Sequence, residues 1–168
     1  MRSEVLVVGL GNILLSDEGL GVHAVNALRD RYVFRPKTDL LDGGTLGLDL
    51  LPYLEGRSRV LFIDAVDAGE VPGSIVAVEG DRVGHASGPR LSVHHAGLAD
   101  LLFAARMQGI YPDEVCLVGM QPASMAPGLE LSAVVHASMD ALLKEIIGRL
   151  EGWGLEVAEK SQIESTKS

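Results

Sequence analysis

A chain of 168 residues with one cysteine, Cys116, cannot close an internal disulfide or build a zinc site of the several-cysteine kind. It has no apolar run long enough to cross a bilayer. The stretch Val5-Leu6-Val7-Val8 behind Glu4 is too short for the apolar region of a secretory signal. These absences make the cytoplasm the expected location. Positive charge is scarce as well: 14 Lys plus Arg stand against 23 Asp plus Glu, a formal net charge of −9. Such a surface repels nucleic-acid backbones and anionic membranes, so neither is an expected partner. Several catalytic signatures are also missing. There is no His-Glu-x-x-His helix, no Gly-x-Ser-x-Gly elbow and no Gly-x-x-x-x-Gly-Lys loop. What remains is an ordinary globular composition, 47% hydrophobic and 22% charged, which excludes disorder and collagen-like repetition. The length suits one domain with a single sizeable core.

The pattern along the chain alternates strands and helices. Val5 to Val8, Val60 to Ile63 and Val115 to Val118 are short continuous apolar runs, as expected of strands buried on both faces. Asp39-Leu40-Leu41-Asp42 reads as a strand stopped by Gly43-Gly44. Ser74 to Val78 reads as a strand at an edge, with an antiparallel orientation open to it. Helical spacing of Val22, Val25, Leu28 and Tyr32 predicts a first helix over residues 19–32. A short helix is expected over 47–54, another over 95–108, and a long one opened by Ser132 as N-cap. Residues 80–92 have no period and read as loop. Residues 1–152 are expected to form a single α/β domain, and 153–168 a polar tail frayed at its end. The predicted fold is a three-layer α/β/α sandwich around a twisted, mostly parallel five-stranded sheet. In such sheets ligands bind beyond the carboxyl ends of the strands, where strand order reverses.

Three polar residues stand out by that rule. Glu18 lies in the loop after the first strand, Asp64 ends the strong apolar strand at Ile63, and His94 precedes the third helix. If the first strand and the strand at Ile63 are neighbours, the fold gathers all three at one edge. Two carboxylates and an imidazole suit a borderline divalent metal with positions left open. Each also has a plainer reading. In that reading Asp64 caps backbone amides, Glu18 is a solvated acid near a helix N-terminus, and His94 or its neighbour His95 is a surface or N-cap histidine. His23, His85 and His136 have no partner pattern and read as structural. Cys116, in a buried strand, reads as inert packing.

A dinucleotide site is the main competitor. Gly9-Leu10-Gly11 follows a strand and Asp42 ends the next, where a ribose-binding acid would sit. The third glycine is absent, however, because Leu14 holds its position. Asp17 and Glu18 would also point negative charge at a pyrophosphate.

Five segments, in order, carry a resemblance. They are Val7-Val8-Gly9-Leu10-Gly11-Asn12-Ile13-Leu14-Leu15-Ser16-Asp17-Glu18, Leu41-Asp42-Gly43-Gly44-Thr45, Ile63-Asp64-Ala65, Ser92-Val93-His94-His95-Ala96-Gly97-Leu98-Ala99-Asp100 and Val118-Gly119-Met120-Gln121-Pro122. Together, across residues 4–150, they resemble the hydrogenase maturation endopeptidases. The resemblance implies an α/β sandwich and an enzyme that removes the C-terminal extension of a nickel–iron hydrogenase large-subunit precursor after nickel insertion. It implies Glu18, Asp64 and His94 as metal-contacting residues, and Asp42 as an acid that matters for cleavage, with a purely structural turn acid as the alternative. The nickel is held by the client, and another divalent ion is able to occupy the site in isolation. A monomer is implied. The stretch beyond Gly152 has no evident counterpart in this reading. A non-catalytic, chaperone-like module gripping the metal-bearing precursor is the alternative to catalysis.

Overall fold

The computed structural model describes residues 2–84 and 93–167, and for residues 93–96 the backbone alone. Four parallel strands form most of one sheet: β1 (Val5–Leu10), β3 (Asp39–Gly44), β4 (Arg59–Ala65) and β6 (Glu114–Met120). The strand β5 (Ile75–Glu79) pairs antiparallel with β6 at one edge, and the order is β3-β1-β4-β6-β5. The expected architecture is therefore present, including the edge position of β5. A separate antiparallel ribbon joins β2 (Tyr32–Arg35) to β7 (Glu156–Glu159).

The apolar runs are continuous because both faces of the sheet are covered. Val5 and Val7 of β1, with Leu61 and Ile63 of β4, pack against α1 (Leu20–Arg31) and α4 (Ala133–Gly152). Their neighbours Leu6, Val8, Val60 and Phe62 face the other way, toward α2 (Leu51–Leu54) and α3 (Val93–Met107). A period of two set against two helical layers leaves no polar face. None of the helices among the described residues is long and apolar enough to cross a membrane.

Two expectations change. The stretch after Gly152 is not frayed: it forms β7 and the short helix α5 (Lys160–Ser165). Leu155 is 5% exposed in the core beside Phe34, and Trp153 and Val157 pack against them. Leu155 and Val157 are separated by Glu156, an alternation too short to stand out in a polar stretch. The second change concerns the start of α4. Ser132 does hold the N-cap position, but its side chain does not cap the helix. Its hydroxyl instead donates to Asp17 Oδ2 at 2.7 Å.

Asp17 is the fastening point of this end of the molecule. Its carboxylate is fully buried and also accepts the backbone N–H groups of Ala123, Ser124 and Ser132 at 2.7–2.9 Å. Around it, Asp17 N–H donates to Ser124 O, Ser16 N–H to Gly128 O and Gly128 N–H to Leu14 O. The loop after β1 is thereby zipped to the loop after β6. Burial pushes the Asp17 carboxyl up, but the four hydrogen bonds outweigh it and hold the group below its ordinary value of 3.8.

Replacing Asp17 by alanine takes the acceptor from four part-buried donors. The expected cost is about 3–5 kcal/mol at neutral pH, measured by denaturant unfolding. The lowered folded pKa means that this stabilisation is present above the ordinary carboxylate range and is lost as pH falls through the folded value. The gap between wild type and Asp17→Ala is therefore expected to narrow in acid. A gap that persists unchanged to pH 2 would count against the ionised clamp.

Candidate active site

Strand order reverses between β1 and β4, since the chain leaves β1 for β3 on one side and returns to β4 on the other. Helix α1 is seated on that crevice. A Cβ on Gly21 would lie 2.1 Å from Ile63 O and 2.4 Å from Leu10 O, so the first turn of α1 touches the ends of both strands through bare backbone. At Gly11 the backbone has φ +124°, and a Cβ would fall 1.9 Å from Glu18 O. The loop thus turns sharply and folds back, so that the 3-10 turn Ser16–Gly19 runs straight into α1. This places acids, and no room for a phosphate, where a dinucleotide would need its pyrophosphate, and it disposes of the dinucleotide reading.

Glu18 and Asp64 are drawn into the crevice by this seating. Both are buried, at 8% and 3% exposure. The register pairs Gly9 of β1 with Ile63 of β4, which puts Asp64 just beyond that level. One Asp64 oxygen, Oδ1, accepts the N–H of Ala65 at 2.8 Å, so the plain capping role is filled as well. The Asp64 pKa rises from 3.8 to about 8. Burial is the main cause; the Ala65 bond opposes it, and the negative charge of Glu18 adds to the rise. Two acids that sense each other's charge in a dry crevice fit a cation between them.

The third expected donor enters from another element. His94 lies in the first turn of α3, which begins at Val93, rather than before the helix. Helix ends are uncertain from sequence by a residue or two. The His94 side chain lies outside the described residues, as do those of Val93, His95 and Ala96. Among the described residues no group of three or more His, Cys, Asp and Glu side chains stands together to hold a metal. The pair Glu18 and Asp64 is therefore what the described side chains bring together.

Asp42 is not part of that pair. It lies in β3, which runs on through Gly43 and Gly44 instead of stopping before them and is separated from β4 by β1, so its backbone is two strand spacings, roughly 10 Å, from that of Ile63. Its Oδ1 accepts Gly44 N–H at 3.0 Å, the turn-acid arrangement. Asp42 is exposed and lines a recess of about 340 Å³ together with Asn12, Leu14, Val22 and Thr45. A second recess, of about 290 Å³, adjoins it through Gly44 and Thr45 and runs to Gly97 of α3.

Sequence reasoning missed two structural ties at this edge. One is the Asp17 clamp. The other is Gln121, whose Oε1 accepts Ala68 N–H at 2.7 Å and Glu70 N–H at 3.3 Å, while its Nε2 donates to Asp67. Gln121 thus holds the loop that leaves Asp64. For Gln121 the available signal was a polar residue just past the apolar strand β6, but it names no partner; Asp17, in the turn Ser16–Gly19, offered no such signal.

The raised Asp64 pKa makes a stability prediction. An unfolded Asp64 loses its proton near 3.8, while the folded one keeps it to about 8, so stability falls as pH rises between those values. Asp64→Asn removes that loss. In the metal-free protein its Tm is expected to exceed wild type by about 5 °C or more at pH 8, since each kcal/mol is worth roughly 2–4 °C at this chain length. The difference is expected to shrink toward pH 4. A variant no more stable at pH 8 than at pH 4, relative to wild type, would contradict the burial argument.

A family model described as hydrogenase maturation protease matches residues 22–149. The hydrogenase 2 maturation protease of Escherichia coli K12 is 36% identical over 95% of this chain and 98% of its own. The hydrogenase expression/formation protein HupD of Rhodobacter capsulatus is 37% identical over 95% of this chain and 77% of its own. Among solved structures, the hydrogenase maturating endopeptidase HybD from E. coli superposes with a TM-score of 0.88 at 36% identity, covering 96% of this chain and 99% of that one. That coverage leaves too few residues unmatched for the whole stretch after Gly152 to lack a counterpart, which corrects the sequence expectation. HybD from Thermococcus kodakarensis follows at TM-score 0.72 and 27% identity, covering 89% and 99%. The chain belongs to the hydrogenase maturation protease family and is an endopeptidase.

Proposed function

We propose that this enzyme removes the C-terminal extension from the precursor of a nickel–iron hydrogenase large subunit after nickel insertion. It acts as a cytoplasmic monomer and reads the inserted nickel through Glu18, Asp64 and His94. The observation that carries this reading is the pair of buried acids at the switch point, with Asp64 lifted to about 8. Burial and the nearby charge of Glu18 keep Asp64 protonated, and a cation reverses that balance. When the ion arrives on the client, a loaded precursor supplies the positive charge that favours an ionised Asp64, and an unloaded one does not. The membership of a protease family supports cleavage over mere gripping of the precursor.

The nickel is part of the substrate, and an ion beside a scissile carbonyl supplies Lewis acidity or an activated water. The residues of this chain hold and orient. Asp64 gives up its proton as it takes the ion, and Glu18 shares the charge. His94, in the first turn of α3, is the nitrogen donor of the set. Asp42 stands two strands away in its own recess and acts on the polypeptide, either as base toward the attacking water or as a grip on the chain. The ordinary zinc-peptidase arrangement, with a general base on a His-Glu-x-x-His helix, has no counterpart in this sequence.

Glu18→Gln, Asp64→Asn and His94→Ala are expected to fold and to slow processing of nickel-loaded precursor about 100-fold or more, the scale of losing a charge-stabilising group. Mass spectrometry of the precursor before and after incubation reads the outcome. Full cleavage by all three variants would falsify the metal-contact role. Nickel-free precursor is expected to resist the wild-type enzyme, and equal rates with and without nickel would overturn the checking role.

A further inference from the structure

Among the described residues, no close packing requires a glycine at Gly97. It lies inside α3 as the fifth residue counted from Val93, where glycine is among the most costly residues in a helix. Unlike Gly44 and Gly47, with φ +46° and +54°, it has no positive φ to explain it. Unlike Gly9 and Gly21, it has no close neighbour among the described residues: of these, a Cβ added there would meet Gly47 Cα at 4.0 Å, an ordinary contact. The room left over Gly97 opens into the recess of about 290 Å³. The walls of that recess are Leu10, Leu50, Leu98 and Leu101, and no charged residue is among its described lining.

The placement of the recess gives it an occupant. Leu10 and Gly44 are the last residues of β1 and β3, so it opens at the same carboxyl-end edge as Glu18 and Asp64. Gly97 is one helical turn from His94. The recess shares Gly44 and Thr45 with the one that Asp42 lines. A polypeptide whose scissile bond lies at the Glu18–Asp64 crevice therefore passes this mouth within a few residues. Resting on the proteolytic reading above, we infer that the recess is a specificity subsite taking one aliphatic side chain of the client close to the scissile bond, and that Gly97 is the residue that keeps it open. Apolar walls with a threonine hydroxyl at the rim suit such a side chain and leave a charged one unpaired.

Gly97→Ala and Gly97→Val narrow the recess in two steps without touching Glu18, Asp64 or Asp42. If the glycine were only structural filler, Gly97→Ala would be a simple helix improvement, with Tm up about 2 °C and processing unchanged. The subsite predicts the same gain in Tm with a loss of processing. For Gly97→Val, kcat/KM toward nickel-loaded precursor is expected to fall about 10-fold or more, chiefly through KM, the scale of misfitting one or two methyl groups. An alanine scan of the client over the four residues on each side of the scissile bond supplies the complement. Trimming one aliphatic residue is expected to lower kcat/KM for wild type and to restore it for Gly97→Val. Wild-type kcat/KM in Gly97→Val, or a loss that no trimmed client rescues, overturns the subsite. Failure of the wild-type enzyme to cut any precursor would instead overturn the proteolytic reading beneath it.

Discussion

The first turn of α1 meets the ends of β1 and β4 through backbone alone. Gly21 sits so close to Ile63 O and Leu10 O that any side chain would collide with both. That contact fixes the height and direction of the helix over the sheet. The residues three positions earlier have no choice of place, and Glu18 is pressed into the crevice where strand order reverses. Gly11 makes the return path possible, and Asp17 locks it by gathering four donors from the loop after β6 and the start of α4. Two adjacent acids thus have opposite employments. Asp17 is fully satisfied and stays ionised below the ordinary carboxylate range, whereas its neighbour Glu18 is held beside another acid.

The cost of this arrangement falls on Asp64. A carboxyl with 3% exposure that accepts the Ala65 amide among the described residues is poorly hydrated, and Glu18 makes ionisation worse. Burying an acid without a positive partner destabilises a fold. A protein keeps such a group where something arriving later supplies the charge, and strain of this kind concentrates at functional sites. The two large hydrophobic clusters on either side of the sheet provide the rigidity that holds the pair in place.

Much of this was legible in the sequence. Apolar runs without alternation pointed to strands covered on both faces, and the alternation with helical spacing gave the parallel sheet. The strand-end rule then picked Glu18 and Asp64 from 23 acids. Partnership was what could not be read. Nothing local in Asp17 says that it bonds Ser132, more than a hundred residues away, and Ser132 looked like an N-cap for the good reason that it occupies that position. The β2–β7 ribbon escaped because each strand has four residues and its pairing spans most of the chain. Asp42 showed the reverse limit: its motif spoke for function, yet the sheet order sets it two strands from Asp64, so proximity in a list of motifs did not become proximity in space.

The central claim is that Glu18 and Asp64, joined by His94 from the first turn of α3, form one cation-binding crevice. A crystal of this enzyme soaked with nickel or cadmium, with the ion located by its anomalous scattering, tests it most directly. The account predicts a single ion at about 2.0–2.4 Å from an oxygen of each acid and a nitrogen of His94, with at least one position open to the cleft. An ion bound elsewhere, or one that touches neither Glu18 nor Asp64, would contradict it.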